Sequence, residues 1–109
     1  MEVGSFLKEK RFRNNALARA FEGHLDINVK LPPEVVTTLQ EDSGFVIKNI
    51  RKNIYNISWA KALKNMEANE DISNFIYGES KKFPDDNLES LSQKLCIVAL
   101  RYFHKSDKR

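Results

Sequence analysis

Cysteine, glycine and proline are scarce in this chain, which has one Cys, four Gly and three Pro among its 109 residues. Cys96 has no second cysteine for an internal disulfide, and no His and Cys residues have the spacing of a metal site. No Gly-rich segment offers a loop that could cradle phosphates. We therefore expect no metal, no cofactor and no structural disulfide, as is usual in the reducing cytoplasm.

Long apolar runs are also absent. No stretch approaches the roughly 18 residues of a membrane-spanning helix, and the first residues lack the apolar core of a signal peptide. Hydrophobic residues make up 41% of the chain and charged residues 30%, which is ordinary for a globular protein. A length of 109 residues allows one core. The sequence predicts one cytoplasmic domain over residues 1–109, with no membrane partner.

Side chains suited to catalysis are few and scattered. His24 and His104 lie far apart in the sequence. Cys96 lies on the apolar side of the last predicted helix, where a cysteine is usually a small core residue rather than a nucleophile. Asp85 and Asp86 are better explained as a loop and a helix cap than as a paired acid and base. We expect a binding protein rather than an enzyme.

Positive and negative charges are segregated along the chain. Residues 43–64 hold five cations and no acid, whereas residues 65–97 hold seven acids against three lysines. The net charge is +3. A face that binds a polyanion needs such segregation, because each Lys or Arg near a phosphate releases a condensed counterion. The acid-free stretch therefore favours double-stranded DNA as a partner.

The first part of the chain predicts a helix followed by an extended arm. Residues 6–21 are rich in good helix formers, and Gly23 follows as a terminator. Apolar and polar residues alternate over 25–31, which predicts a short half-buried strand or arm. Pro33 then opens a brief helix over 34–40. Residues 1–42 are thus an N-terminal helix plus an extended arm.

The remaining residues, 43–104, predict a helical core. The apolar residues Val46, Ile47, Ile50 and Ile54 have helical spacing and predict a helix over 45–55. Further short helices follow over 59–66 and 70–76, the second capped by Asn69. Leucines spaced by three and four predict a long last helix from residue 88. The expected fold class is mainly all-α, with about five helices and one short extended arm or strand.

Residues 45–97 resemble the lambda-repressor and Cro family of helix-turn-helix domains. In that family a first helix ends in a loop before a capping Ser, matched here by Ile57-Ser58, and the third helix carries an Ile-Ser pair, matched by Ile72-Ser73. Gly78 and Pro84 follow before a Leu-rich last helix, as in the family. The resemblance covers about half the chain. It implies a DNA-binding transcriptional regulator that acts as a homodimer.

The resemblance also implies which residues meet DNA. The start of the third helix would enter the major groove, and the base-facing residues would be Asn69, Glu70, Asp71, Ser73 and Asn74. The phosphate-facing residues would be Lys48, Arg51, Lys52, Ser58, Trp59, Lys61, Lys81 and Lys82. Adjacent Glu70 and Asp71 depart from the family pattern, which more often has Gln, Arg, Ser or Thr there.

Three alternatives stay open. Residues 26–35 resemble the opening strand and helix of ribbon-helix-helix DNA binders, in which Asn28 and Lys30 would project from a ribbon. Acidic residues 67–71 with Glu79 could grip a basic protein partner, as in an adaptor, inhibitor or immunity-type protein. The basic helix over residues 8–19 could bind RNA.

Overall fold

The computed structural model describes residues 3–77, 83–88 and 90–107. Its elements are α1 (Val3–Phe21), β1 (Asp26–Lys30), α2 (Pro33–Gln40), β2 (Val46–Arg51), β3 (Ile54–Ser58), α3 (Ala60–Glu67), α4 (Glu70–Ile76), a 3₁₀ turn (Asp85–Asn87) and α5 (Leu91–Asp107). Across these ranges, no helix is both long enough and apolar enough to cross a membrane.

Helix α1 ends where the sequence predicts. Gly23 adopts a φ of 87°, and its N–H donates to the carbonyl of Ala20 at 2.9 Å. The N–H of His24 donates to the carbonyl of Arg19 at 3.1 Å, which completes a Schellman motif. A Cβ on residue 23 would lie 2.6 Å from Cδ1 of Tyr102 on α5. Both the left-handed backbone and the close approach of α5 therefore require glycine here.

Residues 46–58 form a β-hairpin, so the predicted helix over 45–55 is wrong. Strands β2 and β3 pair antiparallel, and β1 pairs antiparallel with the other edge of β3, which gives the strand order β1-β3-β2. The chain is therefore mainly helical with a small three-stranded sheet, rather than all-α. The short strand predicted over 25–31 is confirmed as β1, and the helix predicted over 34–40 is confirmed as α2.

The hairpin has a clear local cause. Valine and isoleucine are frequent between residues 46 and 57, and these β-branched residues favour strands over helices. Asn53 adopts a φ of 61° in the turn, a conformation that Asn tolerates better than most residues. An irregularity between Asn49 and Arg51 places Ile50 at 48% exposure. A helical stripe would have buried Ile50.

One hydrophobic core joins both ends of the chain. Helix α1 packs against α5, and α5 also packs against α3. The inner side of the sheet adds Ile27 and Ile57 to the same cluster. The buried thiol of Cys96 donates to the carbonyl of Trp59 at 2.9 Å, so the prediction of a small core cysteine is confirmed.

The loop before β2 is fastened to the start of α5. Asp42, in the loop between α2 and β2, accepts from the Ser92 N–H at 3.1 Å and from the Ser92 hydroxyl at 2.7 Å. The same carboxylate accepts from the Gly44 N–H at 3.0 Å. Because residue 44 precedes β2 so closely, these bonds hold the base of the hairpin against the helical core.

Candidate nucleic-acid interface

The sheet has one covered face and one open face. Side chains alternate between the two faces along each strand. On the covered face, Ile27, Ile57 and Ile47 form one cross-strand row, and the first two are buried. Helix α1 packs against β1 and closes this side. On each strand, the residues that alternate with the covered-face residues therefore point away from the core.

The open face consists of three cross-strand rows, each with one residue from β1, β3 and β2. The rows are Asp26–Ser58–Val46, Asn28–Asn56–Lys48 and Lys30–Ile54–Arg51. The residues on the two outer strands are exposed, and those on the central strand are half-buried between their neighbours. The face is polar at its centre and basic toward the hairpin turn.

An asparagine pair occupies the centre of the open face. The Nδ2 of Asn56 donates to the Oδ1 of Asn28 at 2.9 Å and, at 3.4 Å, to a carboxylate oxygen of Asp26. No described residue bonds to the side-chain N–H groups of Asn28 or to the side-chain carbonyl oxygen of Asn56. The pair therefore presents a donor and an acceptor to solvent in a fixed arrangement, which is the chemistry that recognises a base edge.

Four cations lie beside this pair or between it and the end of the hairpin: Lys48 in the same row, Lys30 and Arg51 in the next row, and Lys52 in the turn. All four are exposed, and in the part of the chain that the structure describes none of them forms an ion pair. The one carboxylate on the face, that of Asp26, lies at the far end and contacts Arg19 at 3.5 Å. The half of the face near the turn is therefore uncompensated positive charge.

The hairpin that carries these cations is braced internally. The Nδ2 of Asn49 donates to the carbonyl of Arg51 at 3.0 Å and to the carbonyl of Ile54 at 3.4 Å. The N–H of Leu31 donates to the carbonyl of Asn53 at 2.9 Å, which ties the turn to the end of β1. Arg51 and Lys52 are thus held on an ordered turn.

The remaining residues that were predicted to contact phosphates lie after the hairpin, at Ser58, Trp59, Lys61, Lys81 and Lys82. The prediction for Trp59 is wrong, because this side chain is 0% exposed and lies in the core. Its backbone N–H donates to the carbonyl of Leu25 at 3.0 Å, which continues the β1–β3 pairing and turns the indole inward. Ser58 donates its hydroxyl to that same carbonyl at 3.3 Å, and Lys61 is exposed on α3. Lys81 and Lys82, like Gly78, lie outside the described residues.

Helices α3 and α4 confirm the short helices predicted over 59–66 and 70–76, and they pack against each other. Asn69 is confirmed as the N-cap of α4, since its Oδ1 accepts from the N–H groups of Asp71 at 3.0 Å and Ile72 at 3.3 Å. The hydroxyl of Ser73 donates to the carbonyl of Glu67 at 2.6 Å. Two of the five predicted base-facing side chains are therefore bonded within the turn between these helices.

The exposed end of α4 is acidic. Glu70 and Asp71 are exposed, and Asn74 is half-buried. Glu67 lies exposed at the end of α3, next to this pair. Three carboxylates without a cationic partner among the described residues give this corner the opposite charge to the open face of the sheet.

The structure joins residues that the sequence assigned to separate motifs. Asn28 and Lys30 came from the ribbon-like segment, and Lys48 and Arg51 came from the helix-turn-helix resemblance; the sheet places all four on one face. Asn56, which joins them on this face, is not among the residues predicted from the sequence. Its signal is the alternation of apolar and polar residues over 55–58, which places Asn56 on the other face of the sheet from the buried Ile57.

Metal chemistry has no cluster to support it in the described ranges, where no three His, Cys, Asp or Glu side chains come together. Desolvation by burial raises the pKa of Cys96 to about 12, so the thiol stays protonated at neutral pH.

The chain matches no protein-family model, no curated protein and no solved structure. The geometry of this open, basic sheet face is therefore the basis for inferring function.

Proposed function

We propose that the protein binds double-stranded DNA through the open face of the sheet, with the β2–β3 hairpin in the major groove. The single observation that carries the proposal is the pairing of Asn28 with Asn56 next to four cations that form no ion pair with a described residue. Phosphate contacts position a protein on DNA, and contacts to base edges specify the sequence. The open face offers both kinds of group.

The dimensions of the hairpin suit the major groove. Paired strands lie about 4.8 Å apart, and the groove, which is about 12 Å wide, admits a two-stranded ribbon. Lys48 and Arg51 on β2 would then lie along one wall, with Lys30 of β1 reaching the other. An asparagine in the groove can bond the N6 and N7 edge of adenine.

Duplex DNA fits this face better than RNA does. Sheets that read single-stranded RNA stack bases on exposed aromatic side chains, and the major groove of duplex RNA is too deep and narrow to read. The three rows of the open face contain no aromatic residue, because Tyr55 belongs to the opposite face. The basic and amide groups of the face instead match phosphates and base edges.

The proposal keeps the expected DNA-binding regulator but replaces the helix-turn-helix mode of binding. If α4 entered the groove, Glu70 and Asp71 would meet phosphates and repel them. We therefore assign base contacts to the hairpin. A short hairpin gains specificity by binding two half-sites, so the proposal includes a homodimer acting as a transcriptional regulator.

Selection of bound sequences from a random duplex library, followed by affinity measurements at 50 and 200 mM salt, tests the proposal. With four phosphate contacts, log Kd should rise with log salt with a slope of about 3.6, or about 150-fold over this range. Replacing Lys48 and Arg51 with Gln should reduce the slope by about 1.8. The matched control, Lys64→Gln with Lys94→Gln, removes the same charge from α3 and α5, where both lysines are exposed.

The control should keep the wild-type slope. Equal losses in the two double variants would show attraction to net charge alone. Salt-independent or undetectable binding would refute the proposal.

The acidic corner favours a second candidate function. Glu67, Glu70 and Asp71 are exposed together, which suits a basic protein partner, as in an adaptor, inhibitor or immunity-type protein. The variant Glu70→Gln with Asp71→Gln separates the two functions, because it should abolish binding of a basic protein partner to this corner. It should leave DNA affinity unchanged if the hairpin binds DNA, and it should raise the affinity if α4 faces the duplex.

A further inference from the structure

A cavity of about 420 Å³ lies between α1, the end of β1, the start of α2 and the hairpin turn. Its polar lining consists of Lys8, Arg11, Asn15, Lys30 and Asn53. Its apolar wall includes Val29, Leu31 and the Pro32-Pro33 pair. The volume falls within the range of about 300–1,000 Å³ that is typical of small-molecule sites.

The charge of this cavity is positive and uncompensated. No carboxylate is among its lining residues, and in the described part of the chain Lys8, Arg11 and Lys30 form no ion pair. Other arginines of α1 do find partners: Arg13 contacts Glu9 at 3.1 Å, and Arg19 contacts Asp26 at 3.5 Å. The cations that α1 leaves unpaired at the cavity are therefore suited to hold an anion.

The cations converge because of where the fold places them. Lys8, Arg11 and Asn15 are spaced by three and four along α1, so they share one helix face. Lys30 ends β1. The N–H of Leu31, the residue after Lys30, donates to the carbonyl of Asn53 in the hairpin turn at 2.9 Å, which keeps Asn53 close to Lys30. The first turn of α2 starts at Pro33 on the rim and also carries Glu34, which is not among the residues that line the cavity.

We propose that this cavity binds an organic phosphate monoester about the size of a mononucleotide. The planar guanidinium of Arg11 can form two parallel bonds to a phosphate, and the two lysines supply further charge. The two asparagines can bond polar groups of the organic part, and the apolar wall can cover its less polar surface. This inference does not depend on DNA binding by the sheet, since only Lys30 belongs to both surfaces.

Two ligands share this chemistry: a free nucleotide and the 5′-phosphorylated end of a nucleic acid strand. Calorimetric titrations of the full chain with adenosine 5′-monophosphate, adenosine and inorganic phosphate test for the first. A short duplex with a 5′-phosphate, compared with the same duplex bearing a 5′-hydroxyl, tests for the second. Amide shifts of Leu31 and Asn53 in NMR spectra locate the bound ligand.

Arg11→Gln tests the site, and Lys10→Gln is its matched control. Lys10 is an exposed cation on the same helix that does not line the cavity. Arg11→Gln should weaken binding of the phosphate monoester at least about tenfold, because it removes a charge-assisted bond. Lys10→Gln should change binding less than about twofold. Circular dichroism should be unchanged in both, since both side chains are exposed.

The outcomes are separable. Phosphate-dependent binding that falls in Arg11→Gln and persists in Lys10→Gln supports the site, with the tighter of the two ligands identifying its source. Equal binding of adenosine and its monophosphate, equal losses in the two variants, or no binding of either phosphate monoester would overturn the inference. Replacing Lys48 and Arg51 with Gln should leave nucleotide binding intact, so failure of the DNA proposal and failure of this one are distinguishable.

Discussion

Replacing Asp42 with Ala should destabilise the whole domain, although Asp42 lies in a loop. Its carboxylate accepts three hydrogen bonds, from the Gly44 N–H and from the N–H and hydroxyl of Ser92. Ser92 is 0% exposed, so its N–H and hydroxyl lose their partner at a buried position. A hydrogen bond to a charged group contributes about 1.5–3 kcal/mol. The hydroxyl of Ser92 keeps a contact with that of Ser90 at 3.2 Å, which offsets part of the loss.

The two bonds from the buried Ser92, each taken at about 1.5 kcal/mol, give an expected loss of about 3 kcal/mol in the free energy of unfolding. That is a large share of the roughly 5–15 kcal/mol that stabilises a domain. Urea unfolding followed by the fluorescence of Trp59 measures it, because Trp59 is the only tryptophan and is buried. With an m-value of about 1.5 kcal/mol per molar, the midpoint should fall by about 2 M.

Two comparisons refine the test of Asp42. Asp42→Asn keeps one acceptor oxygen and should lose about half as much stability. Ser43→Ala, at the exposed neighbouring position, should change stability by less than about 0.5 kcal/mol. If Asp42→Ala also stayed within 0.5 kcal/mol of the wild type, the carboxylate would not fasten the hairpin base to α5 as described.

Three further predictions concern the thiol, the asparagine pair and the end of α1. The pKa of Cys96 is raised from 9.0 to about 12, so its protonated form favours the folded state. The free energy of unfolding of the wild type should therefore fall, relative to that of Cys96→Ala, by about 1.4 kcal/mol for each pH unit between 9 and 12. Urea titrations of both proteins measure this difference, and parallel pH profiles would contradict it. Asn56→Ala should reduce discrimination at one base pair by about 1–3 kcal/mol in competition binding, and unchanged preference would exclude the amide from base reading. Gly23→Ala should lower stability by about 2 kcal/mol in thermal unfolding, through the strain of a positive φ, whereas no change would refute it.

The helices and β1 could be predicted from sequence because each has a local signal that the fold preserves. Gly23 ends α1, Pro33 opens α2 and Asn69 caps α4, and each of these roles depends on neighbouring residues alone. The alternation over residues 25–31 matches the two faces of the sheet. Local backbone chemistry is sufficient at these positions.

The hairpin could not be predicted in the same way, because the spacing of its apolar residues is compatible with both a helix and a strand. Val46, Ile47, Ile50 and Ile54 fit a helical stripe, but the irregularity at Ile50 disrupts the alternation that would have revealed a strand. The pairing of β1 with β3 joins residues nearly thirty positions apart, and no local pattern encodes that partnership. Tertiary pairing therefore decided the structure of this segment.

The candidate site could be predicted only in part, because its cations have a local signal in the sequence and their neighbours on the sheet do not. The acid-free stretch over 43–64 correctly drew attention to Lys48, Arg51 and Lys52 as exposed cations. It could not reveal that Asn28 and Lys30 share their surface, because that depends on the strand order. Trp59 was misassigned since an aromatic residue after a strand can face either way, and only the packing of the core turns it inward.

Mapping of duplex DNA onto the protein by NMR tests the central claim most directly. A sequence obtained by selection is titrated into the ¹⁵N-labelled chain, and the shift of each amide is followed. Binding through the open face predicts shifts concentrated at Asn28, Lys30, Lys48, Arg51 and Asn56, with α4 unaffected. Shifts concentrated at Asn69, Glu70 and Asn74, or no shifts at all, would contradict the assignment of DNA binding to the sheet.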